Sequence, residues 1–153
     1  MAVLLNFTER QMIYAMTELK YMVNSSDFEN AGNVSQDLKK KLTEMNIEPE
    51  KIRRAVLAVY EGEINMMIHA NGGIIDVCVT DSCIKMVLAD NGPGIADVDL
   101  AMQSGYSTIS DSGVISKGFG AGMGFSNMKS MSDTMEVETR LGLGTTITMT
   151  INL

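Results

Sequence analysis

Hydrophobic and polar residues change their spacing along this chain, and the changes predict an order of helices and strands. A helix is predicted over residues 27–46, where apolar residues recur three or four positions apart: Ala31, Val34, Leu38 and Leu42. Pro49 suits the first turn of a second helix, whose pattern continues to Ala70 and ends at Asn-Gly-Gly. A short helix is expected at 124–132 after a glycine-rich stretch.

Other segments alternate apolar and polar residues, which is the period of a strand with one buried face. The predicted strands are residues 19–26, 73–80, 83–90, 134–140 and 145–153. Short turns join the second strand to the third and the fourth to the fifth, as in hairpins. The order predicts an α+β two-layer sandwich, a mixed and mostly antiparallel sheet with helices on one face.

We divide the chain into an N-terminal extension, residues 1–19, and one domain, residues 20–153. Apolar residues in the extension have helical spacing: Phe7, Met12, Ile13, Met16 and Leu19. An appended helix, a dimer contact and a start-site extension all fit this pattern. The remaining length suits a single domain with its own hydrophobic core.

Composition narrows the class of protein. The 45% hydrophobic content is that of a globular chain, and the net charge of −7 argues against a nucleic-acid partner. The chain shows no apolar run of the ~18 residues that span a membrane, and no signal-peptide pattern at its start, so we expect a cytoplasmic protein. Cys78, Cys83 and His69 are too few for a metal site of their own, and we expect reduced thiols.

Three features are candidates for chemistry. Asp90 falls on the apolar face of its strand, where a carboxylate needs a partner or a ligand, although it could simply cap the turn formed with Asn91 and Gly92. Glu61 and Asn65 lie four residues apart, hence on one helix face. Such a pair could hold Mg²⁺ and orient a nucleophile, or belong to an ordinary solvated face.

The third feature is GFGAGMG, residues 118–124, which opens directly into the predicted short helix. Free backbone N–H groups and the helix dipole make such a segment favourable for binding phosphate. Two familiar phosphate-binding motifs are absent, because neither G-x-x-x-x-G-K-[ST] nor G-x-G-x-x-G occurs here. Each of the three features is weak alone, and their order along the chain is more specific.

A helix with E-x-x-x-N, a strand that ends in D-x-G-x-G, and a later G-x-G-x-G loop resemble the GHKL ATPases, which include DNA gyrase B, histidine kinases and MutL. The matching segments here are Glu61–Asn65, DNGPGI at Asp90–Ile95, and GFGAGMG at Gly118–Gly124. The chain is most similar to the branch of small anti-sigma regulatory factors and serine/threonine switch kinases. This resemblance implies the Bergerat ATP-binding fold.

The resemblance also implies roles for individual residues. Asp90 would accept a hydrogen bond from the adenine amino group, Asn65 would coordinate Mg²⁺, and Glu61 would act as the general base. The residues expected to bind the nucleotide are Asn65, Asp90, Gly92, Gly94, Ile95, Lys117, Gly118, Gly120, Gly122, Met123, Gly124 and Thr146. Thr146 would approach the base through water.

The implied activity is phosphoryl transfer from ATP, with Mg²⁺, to a serine of a STAS-domain partner, an antagonist of an anti-sigma factor. A sigma factor is a possible second partner, and a homodimer is expected from the family. Two alternatives stay open. One is a binding module that switches partners with ATP or ADP and transfers no phosphate; the other is ATP hydrolysis that drives a dimer.

Overall fold

A computed structural model describes residues 16–103 and 124–153 of the chain. Its elements are β1 (Thr17–Val23), α1 (Asn33–Glu44), α2 (Pro49–His69), β2 (Gly73–Val79), β3 (Cys83–Asp90), α3 (Val98–Ala101), α4 (Gly124–Met131), β4 (Thr134–Arg140) and β5 (Gly144–Asn152). A short 3-10 turn, Phe28–Asn30, precedes α1. Within these ranges no helix is both long and apolar enough to cross a membrane.

The five strands form one sheet in the order β1-β2-β3-β5-β4. Every pairing among the described strands is antiparallel, so the expected parallel component does not occur there. The register places Gly73 opposite Asp90, and Ala89 opposite Thr146. The predicted α+β architecture with a mostly antiparallel sheet is therefore confirmed.

The core lies between one face of the sheet and the helices. Alternate strand residues are fully buried there, including Ile75, Ile84, Met86, Leu88, Met149 and Ile151, and Leu38, Leu42 and Val59 of the helices pack against them. Each such side chain contributes about 1.5–3 kcal/mol by leaving water. Neighbouring strand residues of opposite phase are exposed, such as Met22 and Ile74.

β1 begins at Thr17, so the strand extends three residues into the predicted N-terminal extension. Thr17 to Leu19 pair with Val77 to Val79 of β2, and Leu19 packs against the core. Cross-strand hydrogen bonding therefore decides the conformation of this segment, although Leu19 also fits a helical spacing. The part of the extension before Met16 lies outside the described residues.

α1 begins six residues later than the predicted helix, at Asn33. Its N-cap residue is Gly32, whose φ of +91° is a conformation that favours glycine. The cap itself comes from α2: the carboxylate of Glu63, only 1% exposed, accepts from the backbone N–H of Gly32 at 3.0 Å and from those of Val34 and Ser35 at 3.4 Å. A distant acidic side chain thus fixes where α1 starts.

α2 lies close over β3, and Gly62 permits this approach. A Cβ at Gly62 would be 1.9 Å from Cδ2 of Leu88. The group that fills the space beside this mid-helix glycine is the Leu88 side chain. The contact places the middle of α2, and with it Glu61 and Asn65, above the end of β3 that carries Asp90.

Candidate functional site

Asp90 is the last residue of β3 and uses one oxygen for two backbone contacts. Its Oδ1 accepts from the N–H of Gly92 at 2.8 Å and from the N–H of Thr145 at 3.2 Å. The turn cap considered from the sequence is therefore present, together with a second contact to β5. Among residues 16–103 and 124–153, Oδ2 has no hydrogen-bond partner. The carboxylate is held in a fixed orientation with one acceptor oxygen left over.

The loop after Asp90 packs between the end of α2 and the β4–β5 turn. A Cβ at Gly92 would be 2.8 Å from Cβ of Ala70, so only glycine fits beside the end of α2. Gly94 has φ of +76°, and a Cβ there would be 2.5 Å from the Arg140 carbonyl oxygen. These close approaches give Gly92 and Gly94 a structural reason that does not depend on any ligand.

Two hydrogen bonds fasten the same loop to the β4–β5 turn. The N–H of Gly142 donates to the Pro93 carbonyl at 2.8 Å, and the N–H of Ile95 donates to Oγ1 of Thr139 at 2.8 Å. Oγ1 of Thr139 lies 3.0 Å from Oγ1 of Thr145, which is buried. This polar chain was missed in the sequence, where the only signal was a pair of threonines flanking the turn.

Thr146 and Thr145 lie on opposite faces of β5. Thr146 is paired with Ala89, the residue before Asp90. The side chain of Thr146 projects to the face of the sheet away from the core. Thr145 instead has a buried side chain, and its N–H reaches the Asp90 carboxylate. The structure therefore brings Thr145, not the expected Thr146, into the group around Asp90.

Glu61 and Asn65 each meet the first turns of α4. Oε1 of Glu61 accepts a hydrogen bond from Nδ2 of Asn127 at 2.8 Å. The amide of Asn65 lies against Gly124, where an added Cβ would be 3.0 Å from Nδ2 and 3.1 Å from Oδ1. The missing side chain at Gly124 makes this room. Asn127 was not identified from the sequence, because its partner is 66 positions away.

The amide of Asn65 leaves one polar atom unsatisfied. Its Nδ2 is buried and has no hydrogen-bond partner among the described residues, so this N–H donor lacks an acceptor that a bound anionic group could supply, while Oδ1 is the atom of this amide that could contact a metal. Mg²⁺ in nucleotide sites is typically held by one or two protein oxygens together with phosphates. In the described part of the chain no cluster of three or more His, Cys, Asp or Glu residues could hold a metal without such help.

Further along α2, burial lowers the pKa of His69, so this histidine is neutral at physiological pH and adds no positive charge. Five of the predicted nucleotide-binding residues lie outside the described part of the chain: Lys117, Gly118, Gly120, Gly122 and Met123. The described site therefore consists of the middle of α2, the end of β3 with its loop, the β4–β5 turn and the start of α4.

The arrangement matches known proteins. The family model of histidine kinase-, DNA gyrase B-, and HSP90-like ATPases matches residues 50–153. An anti-sigma F factor of Clostridium acetobutylicum is 29% identical over 143 residues, covering 90% of this chain and 94% of that protein. An anti-sigma F factor of Caldanaerobacter subterraneus subsp. tengcongensis is 33% identical over 140 residues, covering 88% of this chain and 92% of that protein.

A solved structure shows the same fold. The crystal structure of the RsbU and RsbW domains of Rv1364c from Mycobacterium tuberculosis matches with a TM-score of 0.58 at 16% sequence identity. The match covers 88% of this chain and 31% of that longer chain. At this identity the likeness concerns the fold alone.

Proposed function

The chain belongs to the family of histidine kinase-, DNA gyrase B- and HSP90-like ATPases, and from this we propose that it binds ATP and ADP and regulates a sigma factor as a serine/threonine kinase of a STAS-domain partner. The relatives that support the regulatory part are anti-sigma F factors over nearly their whole length. Such a regulator would work in the cytoplasm as a homodimer.

The observation that carries the proposal is the fixed carboxylate of Asp90. Two backbone N–H groups hold Oδ1, while Oδ2 is unpartnered among the described residues. A carboxylate oxygen so oriented is a strong acceptor for an amino group such as that of adenine. The buried Thr145 and the half-buried Thr139, whose hydroxyl oxygens are in hydrogen-bond contact, stabilise the loop and strand that hold it.

The phosphates would lie on the α2 side of the site. Asn65 would hold Mg²⁺ through Oδ1, and the metal would neutralise charge on the transferred group. Glu61 would accept the proton of the substrate serine hydroxyl as the new oxygen–phosphorus bond forms. The bond between the γ-phosphorus and the bridging oxygen would break, and ADP would leave with that oxygen and its electron pair.

Calorimetric titration with ADP and ATP tests the nucleotide site. Asp90→Asn keeps an oxygen for Gly92 and Thr145 but can place a donor where adenine needs an acceptor, so we expect a folded protein with at least ~10-fold weaker binding. Asp76→Asn, an exposed carboxylate on β2, is the control and should bind normally. Equal affinity of both variants would contradict the assignment of Asp90. Equal affinity with excess EDTA would contradict the role of Asn65.

One observation favours the alternative of a binding module without phosphoryl transfer. Glu61 already accepts a hydrogen bond from Asn127, so it could serve only to join α2 and α4. Glu61→Gln keeps an acceptor oxygen and removes the base. If the protein is a kinase, this variant should bind ATP normally and lose transfer by roughly 100-fold or more. If Glu61→Gln transfers phosphate as well as the wild type, Glu61 is not the base.

A further inference from the structure

The first turns of α4 contact both polar residues of α2 in the site. Glu61 and Asn65 are one helical turn apart, as are Asn127 and Gly124, and each residue of one pair meets one of the other. The amide of Asn127 reaches Glu61 at 2.8 Å, and Gly124 makes room for Asn65. The two helices thus form a matched pair of contacts at the place where phosphoryl transfer is proposed.

We propose that Asn127 is a positioning residue that orients the carboxylate of Glu61 for proton transfer. This inference rests on the proposed kinase function. Nδ2 of Asn127 donates a hydrogen bond to Oε1 of Glu61, and Oε2 of Glu61 has no partner among the described residues. Oε2 therefore accepts the proton of the attacking hydroxyl, while the hydrogen bond to Oε1 limits the rotation of the carboxylate. Because a general base must lie within hydrogen-bond reach of its proton, this restraint affects rate.

A purely structural role for the hydrogen bond is less consistent with the packing of α4. The helix is anchored independently by Met128, which is fully buried. It is anchored again at its end, where Nε of Arg54 donates to the Met131 carbonyl at 2.8 Å. Since these contacts hold α4 against α2, the bond between Asn127 and Glu61 adds little to holding the helices together. What it does fix is the carboxylate.

The test uses the full chain and single-turnover hydrolysis of radiolabelled ATP, with water as acceptor, so that no partner needs to be known. Asn127→Asp keeps the shape of the side chain but removes the amide donor, and Asn127→Ala removes the side chain beyond Cβ. Lys129→Ala, an exposed residue of α4, is the control. We expect both Asn127 variants to lose roughly 10- to 100-fold in rate, with ATP affinity and melting temperature close to the control.

A double variant with Glu61→Gln separates an action of Asn127 through Glu61 from a purely structural role of Asn127. If Asn127 acts through Glu61, Asn127→Ala should have no further effect on rate in the Glu61→Gln background. A wild-type rate in Asn127→Asp, or a parallel fall in affinity and melting temperature, would overturn the positioning role while leaving the base in place. A Glu61→Gln variant as fast as wild type would overturn the base and the positioning role together.

Discussion

Replacing Glu63 tests whether one buried carboxylate fixes the start of α1. In Glu63→Ala, the buried N–H of Gly32 loses an acceptor at 3.0 Å, and Val34 and Ser35 lose longer contacts at 3.4 Å. Leaving a buried donor unpaired costs about 1–3 kcal/mol, and loss of an N-cap about 1 kcal/mol. Since the two longer contacts make up the N-cap contribution, we expect a total loss of about 2–4 kcal/mol from the free energy of unfolding.

The assay is urea denaturation followed by circular dichroism at neutral pH. Glu44→Ala, which replaces an exposed glutamate at the other end of α1, is the control and should change stability by less than about 0.5 kcal/mol. A loss in Glu63→Ala no larger than that of the control would refute the capping argument. Against a typical domain stability of about 5–15 kcal/mol, the expected loss is readily measured.

The contribution of Glu63 to the free energy of unfolding should depend on pH, and the direction follows from its pKa. Burial raises the pKa of Glu63 above its ordinary value of 4.5, although hydrogen bonds from Val34, Gly32 and Ser35 oppose the shift. The folded state therefore binds this proton more tightly than the unfolded state. Its contribution to stability is fully present below pH 4.5 and is lost as the pH rises through the folded pKa. Relative to Glu63→Gln, the wild type should become less stable across that window, and a constant difference would contradict the shift.

Three further substitutions have expected outcomes. Gly94→Ala forces a side chain onto φ of +76° and to 2.5 Å from the Arg140 carbonyl, so calorimetry should show weaker nucleotide binding, and unchanged affinity would contradict the loop's role. In Gly62→Ala the new Cβ would lie 1.9 Å from Cδ2 of Leu88, so the free energy of unfolding in urea should fall by about 1–3 kcal/mol. A variant as stable as the wild type would show that the Leu88 side chain can move aside. The hydrogen bond from the backbone N–H of Asn152 lowers the pKa of Asp133 below its ordinary 3.8. The extra stability of the wild type over Asp133→Asn should therefore disappear in an acid titration as the pH falls through the folded pKa. A stability difference that persists at low pH would contradict the lowered pKa.

Elements with strong local periodicity were predictable from the sequence. β2, β3, β4 and β5 lie within a residue or so of the predicted bounds, and α2 occupies nearly the whole predicted range. Alternation and helical spacing report which side of an element is buried, and neighbouring residues alone carry that information. The motifs around Glu61 and Asp90 likewise indicated the family, because their order along the chain is a property of the sequence.

Contacts between distant residues required the tertiary structure. The late start of α1 depends on Glu63, about 30 residues further on, and a local window contains no sign of that cap. The choice of Thr145 over Thr146 depends on the register between β3 and β5, since a shift of one residue exchanges the faces of a strand. The hydrogen bond from Asn127 to Glu61 exists only because α4 packs on α2. The sequence by itself determined the order of the elements and the motifs that indicate the family. Packing decided which atoms meet, because hydrogen bonds depend on distances that local periodicity does not specify.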